Sequence, residues 1–400
     1  MSTTITRSEP RVVSVSGAFT SHLHPTPSWQ LTDHTVPTGR EENWRFTPVK
    51  RFKPLMTDGP FGQISVTTTL PEGVTSRTID AAAAKDLSFD PPVDLVAAKA
   101  VQAEQALLIE VAPQAVLDAP VVITTDGSDE LAASHMIITV GHHAEATIVL
   151  QRTGVSRLAS KVEVQVDEGA RVDVITVQDW ATGAVHGGQY SIRIGRDAKV
   201  RSFQATIGQG DVRLVERVEY AGPGGELNQL GIYFVQSEQH VEHRLLVDHN
   251  HPNTVSLVDY RGALQGAGAH SVWIGDALIR KTAVDINTYE TNKNLMLTEG
   301  CRADSVPNLE IETGEIRGAG HSSSTGRFDA NQLFYLRSRG IPEEQARRLI
   351  VEGFFLDIIR RIGVPEIEAR LTEALNAQLA SIDGITLEAM LDERPAEAEL

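Results

Sequence analysis

A repeat with a period of roughly 27 residues constrains this chain more than any other feature. Turn-plus-strand units begin at Ala144 (AEATIVL), Ala170 (ARVDVITV), Ala198 (AKVRSFQ) and Gly225 (GELNQLGIYF), an almost even spacing. Three of the four follow a glycine within three positions: Gly141, Gly169 and Gly195. Each is preceded by another strand-like run, Met136 to Val140, Val162 to Val166, Ser191 to Ile194 and Val215 to Tyr220. One repeat therefore reads strand, tight turn, strand, connector. A near-constant long period with two strands per period is the signature of a solenoid, whose coils stack through parallel pairing about 4.8 Å apart. Extended over residues 107–318, the pattern predicts about eight coils and a rod of roughly 40 Å. Inward side chains form apolar columns, and Gly or Ala occupies the corners where the backbone turns sharply. The competing architecture is a β-sandwich, but sandwiches place turn signals every 8–12 residues and show no constant long period.

The ends of the chain read differently. Residues 1–106 are expected to form an N-terminal segment with short helices. The Trp44/Phe46 pair in ENWRFTP anchors it to the body, and Ala-rich stretches at Ala81 to Ala84 and Ala97 to Ala103 favour helix. The β-helix core is assigned to residues 107–325 and a helical domain to 326–385, with an acidic tail over 386–400. Pro342 at the first helical position, followed by Glu343 and Glu344, opens a helix that ends near Arg360, Arg361, Gly363 and Pro365. Its expected apolar stripe is Ala346, Leu349, Ile350, Phe354 and Ile358. A second helix is expected from about Glu366 to Ile382, with Ile367, Leu371, Leu375 and Leu379 on one face.

Composition excludes several function classes. The formal net charge of -17, from 36 Lys+Arg against 53 Asp+Glu, disfavours nucleic acid as a partner. No run of 18 apolar residues predicts a membrane span, and Met1 to Ser16 lacks the apolar core of a secretory signal. The single cysteine, Cys301, excludes an intramolecular disulfide framework and a multi-thiolate zinc site within one chain. A cytoplasmic location is the expectation. No Walker-type or dinucleotide-binding glycine motif is present, so no nucleotide is expected on this chain, and the Gly262 to Gly268 stretch reads as solenoid corners.

Candidate chemistry is sparse. His243, Asp248, His249 and His251 form the densest set of potential ligands, but Pro252 and Asn253 make a polar strand-to-turn connection the simpler reading. His142-His143 is a turn pair without an assigned role. Glu310 and Glu312 could share one strand face, as in polysaccharide-cleaving β-helices, or form a solvated face. Cys301 and His321 combine a thiolate and an imidazole, donors suited to iron or zinc, and a thiolate can carry persulfide sulfur. Their closeness in sequence, less than one coil, could place them on adjacent coils, whereas a lone cysteine can equally be a small buried apolar residue.

The stretch Asn294 to Gly340, NLMLTEGCRADSVPNLEIETGEIRGAGHSSSTGRFDANQLFYLRSRG, resembles the SufB/SufD family of iron–sulfur cluster assembly proteins. ENWRFTP at residues 42–48 and LVDH at residues 246–249 extend the resemblance to residues ~40 to 385. The SufD side fits better, because Ser322 follows His321 where SufB-like chains carry an acidic residue. Ala319-Gly320 stands before His321, where many SufD-like chains have a cysteine. The resemblance implies a right-handed parallel β-helix flanked by N- and C-terminal helical segments. It further implies a non-enzymatic scaffold subunit that pairs with a SufB-like paralogue and docks a SufC-like ABC-type ATPase through its C-terminal helical domain. A transient iron–sulfur cluster would then sit at the subunit interface, with His321 as a ligand and Cys301 as a second candidate. A SufB-like sulfur-accepting role and a carbohydrate-active β-helix enzyme are the alternatives.

Overall fold

The architecture follows from short, even strands joined by tight turns. The computed structural model describes residues 24–327 and 330–380; the expected acidic tail and the end of the second helix at Ile382 lie outside them. An N-terminal layer contains α1 (Val49–Phe52), β1 (Gly62–Gln63), β2 (Ser65–Thr69), β3 (Val74–Asp80), α2 (Ala81–Leu87) and α3 (Leu95–Ala100). The side chains of Asp80 and Asp94 cap α2 and α3 by accepting from the backbone N–H groups of Ala83 and Ala97. The first coils use β4 (Gln105–Val111) and two long strands, β5 (Val121–Val140) and β6 (Glu145–Val166). Then follow β7 (Arg171–Trp180), β8 (Val185–Ile194), β9 (Lys199–Thr206), β10 (Asp211–Tyr220), β11 (Glu226–Val235) and β12 (His240–His249). The last coils hold β13 (Val255–Leu264), β14 (His270–Ile279), β15 (Asn287–Met296), β16 (Arg302–Ile311) and β17 (Gly318–Arg327). Three helices close the described chain: α4 (Ala330–Ser338), α5 (Glu343–Ile359) and α6 (Pro365–Ala380).

Pairing alternates, so consecutive strands lie on opposite walls. The first half of β6 pairs with β7, which begins one parallel wall running through β9, β11, β13, β15 and β17. The second half of β6 pairs with β8, and the other wall continues through β10, β12, β14 and β16. The result is a parallel β-solenoid of about eight turns, not a sandwich. Antiparallel pairing is confined to the N-terminal end, at β2–β5 and β3–β4.

The period is not constant. Along the first wall the register steps Glu145–Arg171–Lys199–Glu226–Val255–Asn287–Gly318. The step is 26 between β6 and β7, 32 between β13 and β15, and 31 between β15 and β17. The strands do not grow from β10 onward; the turns lengthen. Ala144, Ala170 and Ala198 stack at one corner with no exposed surface, and Thr254 and Ile286 continue that buried corner.

The interior changes character along the axis. Val162, Val164, Val166, Val172, Val174, Ile192 and Ile194 pack the early coils as apolar columns. Later coils bury Gln229, His243, Glu290 and Asn292 at the equivalent inward positions. Both outer faces are covered. Trp44, Phe52, Leu55 and Val96 pack the N-terminal layer onto the β8 wall, and the Arg213 guanidinium lies 3.7 Å over the Trp44 ring. Helices α5 and α6 pack on the β7 wall against Ile175, Phe203, Leu230 and Ile232. On α6, Ile367, Leu371, Leu375 and Leu379 are all buried, as the spacing predicts. On α5 the stripe is rotated from the expected one: Ala346, Val351, Phe355, Ile358 and Ile359 are buried, while Leu349 is 41% exposed. Phe354 and Phe355 compete for the same face, and Phe355 wins because it meets the apolar patch around Phe203. Among the described residues no helix is long and apolar enough to cross a membrane.

Candidate functional site

Among the described residues, the last coil of the solenoid carries no further coil on it. β16 and β17 form the last coil; β16 pairs only with β14 and β17 only with β15 among the described residues. Residues that would be interior in any earlier coil are therefore presented to solvent there. His321 is such a residue. It stands directly over Glu290 in the β15–β17 register, at the end of the inward column Ile148, Val174, Ser202, Gln229, Val258, Glu290. His321 is exposed, which leaves an imidazole lone pair available to an incoming electrophile or metal.

Beneath it, Glu290 is fully buried, and among the described residues neither carboxylate oxygen has a hydrogen-bond partner. Burial, reinforced by the negative charge of Asp276, pushes its pKa up to about 8. The space it fills is left by Gly275 on the opposite wall: a Cβ there would stand 2.8 Å from Glu290 Oε2 and 2.3 Å from the Trp273 ring. Asp276 itself is pushed up to about 6 by burial and accepts from Asn308 Nδ2 at 2.5 Å.

Two hydrogen-bonded clusters lie inside the solenoid, one in the middle coils and one at this end. Glu216 accepts from His243 Nδ1 at 2.7 Å, from Gln229 Nε2 at 2.7 Å and from the Tyr260 hydroxyl at 2.8 Å. Nearer the end, the Tyr233 hydroxyl donates to Asn294 Oδ1 at 2.6 Å, and Asn292 Nδ2 donates to the Tyr233 oxygen at 2.9 Å. Ser305 donates to Asn292 Oδ1 at 2.7 Å, and Ser323, on the same face of β17 as His321, donates to Ser305 at 2.8 Å. These bonds satisfy polar groups that would be costly to bury alone, and they fix the rims of β16 and β17 to each other.

Cys301 is elsewhere. It occupies the turn between β15 and β16, half-buried, with its sulfur 3.3 Å from both the Gly266 carbonyl oxygen and Thr298 Oγ1. That corner lies at the Met296/Arg327 end of the wall, well along β17 from His321. At about 3.3 Å per residue the two are separated by roughly 20 Å along the strand. The structure does not bring them together.

The other candidates disperse as well. His243 and His249 point into the solenoid on β12, where His249 binds Thr254 and Ser256 through its two nitrogens at 2.7 and 2.9 Å. Asp248 is held by Arg280 at 2.9 Å, and His251 lies in the following turn. Glu310 lies on β16, whereas Glu312 is in the next turn and accepts from the Lys281 N–H at 3.2 Å. His142 and His143 stack edge-to-face in a corner. Among the described residues no three His, Cys, Asp or Glu side chains are grouped to hold a metal ion.

Sequence reasoning does not single out Glu290, Asn292, Ser305 or Ser323. The register carried the missing signal. An unchanged early step would place Asn294 beneath His321, whereas the longer step of the last coils places Glu290 there.

Residues 122–354 match the family model described as SUF system FeS cluster assembly, SufBD core domain. The chain belongs to the SufBD family. Its match spans the solenoid from β5 to α5, including the open end. An iron–sulfur cluster assembly SufBD family protein of Mycobacterium tuberculosis is 45% identical over 363 residues, covering 88% of this chain and 91% of that protein. The corresponding protein of Mycobacterium leprae is 43% identical over 363 residues, covering 88% and 93%. The iron–sulfur cluster assembly protein SufD of Bacillus subtilis is 24% identical over 260 residues, covering 64% of this chain and 59% of that protein.

Proposed function

We propose that this SufBD family chain is a non-enzymatic, cytoplasmic scaffold subunit of SufD type. It pairs through its last coil with a SufB-like paralogue, and a nascent iron–sulfur cluster is held at the junction with His321 as one ligand. The observation that carries this reading is the uncovered coil. Two regular strands end the solenoid with one edge each unpaired among the described residues, and proteins rarely leave such edges bare. A second solenoid end supplies both the missing strand partners and the further donors that a cluster requires. His321 brings an imidazole to that junction, a donor suited to iron.

The helical domain supports the docking of a SufC-like ABC-type ATPase. Phe334 and Tyr335 on α4 are 74% and 56% exposed, and Leu349 on α5 adds to the apolar surface outside the packed face. Exposed aromatics of this kind are typical anchors of protein interfaces. Nucleotide-driven closure of the ATPase would pull on α5 and α6, which are packed against the wall that ends in β17.

Co-expression with a SufB-like paralogue and an ABC-type ATPase, using this chain as bait, tests the reading. Recovery of both partners in one complex is expected; recovery of this chain alone contradicts it. A SufB-like, sulfur-accepting role instead rests on Cys301, whose sulfur lies at a half-buried corner. Persulfide mapping after reaction with a cysteine desulfurase separates the two, because the scaffold reading expects Cys301 to stay unmodified while the paralogue is loaded.

A further inference from the structure

On the outer face of the β10–β12–β14–β16 wall, far from the inward column under His321, the register stacks two histidines on adjacent coils. His240 opens β12 and His270 opens β14, and they are direct parallel partners. Their Nδ1 atoms face each other at 3.1 Å, with ring planes inclined by 58°. Each Nε2 is committed to a carboxylate: His240 to Glu242 Oε2 at 3.1 Å and His270 to Asp304 Oδ2 at 2.7 Å.

The carboxylates are themselves fixed from several elements. Glu242 accepts from the Thr47 hydroxyl at 2.7 Å and lies 3.4 Å from the Arg213 guanidinium. Asp304 is paired with Arg302 at 2.7 Å. The edge of Phe52 packs against the His240 ring, with centroids 5.9 Å apart, and closes the inner side. His240 is buried, whereas the His270 side chain is 19% exposed, so the pair is reached from one side only.

The chemistry of this arrangement is restrictive. A carboxylate accepting from Nε2 fixes that nitrogen as the N–H and leaves the lone pair on Nδ1. Applied to both rings, this sets two lone pairs against each other at hydrogen-bond distance, so a positive centre belongs between them. Two imidazole nitrogens bound at about 2.0–2.1 Å to one tetrahedral ion stand about 3.3 Å apart. The observed separation is close to that edge. A histidine whose far nitrogen donates to a carboxylate is also the usual outer-shell arrangement of a metal ligand.

We propose that His240 and His270 form a binding site for a divalent first-row transition metal ion, ligated through both Nδ1 atoms, with Glu242 and Asp304 as outer-shell orienting groups. Two positions of a tetrahedral centre remain for water or an incoming donor on the exposed side of His270. The site is separate from His321 and does not depend on the scaffold reading or on a partner chain.

Titration of the metal-free, full-length chain with Co2+, followed by its visible ligand-field bands and by calorimetry, tests the proposal. One equivalent bound with a tetrahedral spectrum is expected, displaced by Zn2+. Asp304→Asn, which leaves both ligands and the core in place, should weaken binding about 10–100-fold. His270→Ala should abolish the spectrum. Stoichiometric binding that survives His270→Ala overturns the proposal. So does a folded parent chain that binds no Co2+, as expected if the two rings merely share a proton.

Discussion

His321 and Glu290 show how a solenoid makes a site without any local motif. Each occupies an inward position, and only the end of the stack separates a solvent-facing imidazole from a carboxyl sealed one coil below. The pKa of Glu290 is raised to about 8 from 4.5, so between those values the folded chain holds a proton that the unfolded chain has released. Stability therefore falls as pH rises through that window and levels off above about 8. Glu290→Gln removes the titration while keeping the shape. The variant should match the parent near pH 5 and exceed it by about 1–3 kcal/mol at pH 8 in denaturant unfolding. An unchanged pH slope would show that Glu290 is ionised in the native state. Neither the burial of this glutamate nor its partnerless oxygens could be read from NTYETNKN, which alternates like a solvated strand. His321 was legible because of the residues around it; its neighbour was not, because the coil length had drifted.

At the scale of elements, strand and helix identity follow from period, and errors arise where two residues compete for one face. The α6 spacing leaves only one apolar stripe, and that stripe is buried. In α5, Leu349, Phe354 and Phe355 offer two stripes, and the wall selects Val351 and Phe355. Phe355→Ala should cost about 3–5 kcal/mol, measured by chemical unfolding. Leu349→Ala should change stability by less than about 0.5 kcal/mol but weaken capture of the ATPase. The reverse ranking would mean that α5 docks the other way round. The terminal strands make a different prediction. Ser323 is exposed on β17 and shares the face of His321; Ser323→Lys puts a charge where a further coil must sit. The chain should remain folded while co-purification of the proposed paralogue is lost. Retained pairing would place the subunit contact elsewhere.

For the whole molecule, the repeat made the solenoid legible from four units, because two strands and two small-residue corners recurring at a near-constant long period fit no sandwich. It could not foresee the lengthening of the last coils, since longer turns keep the strands in register while diluting the sequence signal. Nor could it foresee that the N-terminal layer adds antiparallel strands and shields the β8 wall, an arrangement set by tertiary contacts such as Arg213 with Asp94 and Trp44. The described residues form a parallel stack shielded on both broad faces, with no further coil on its last strands. Its family membership is that of iron–sulfur cluster assembly proteins, and the proposed scaffold role assigns that work to the open end. The most direct measurement is cluster reconstitution in the purified complex of this chain with the proposed paralogue and ATPase, parent against His321→Ala, read as acid-labile sulfide and visible absorbance per complex. An intact complex that has lost most of its cluster is the predicted result; an intact complex with parental cluster content would contradict a ligand role for the open coil.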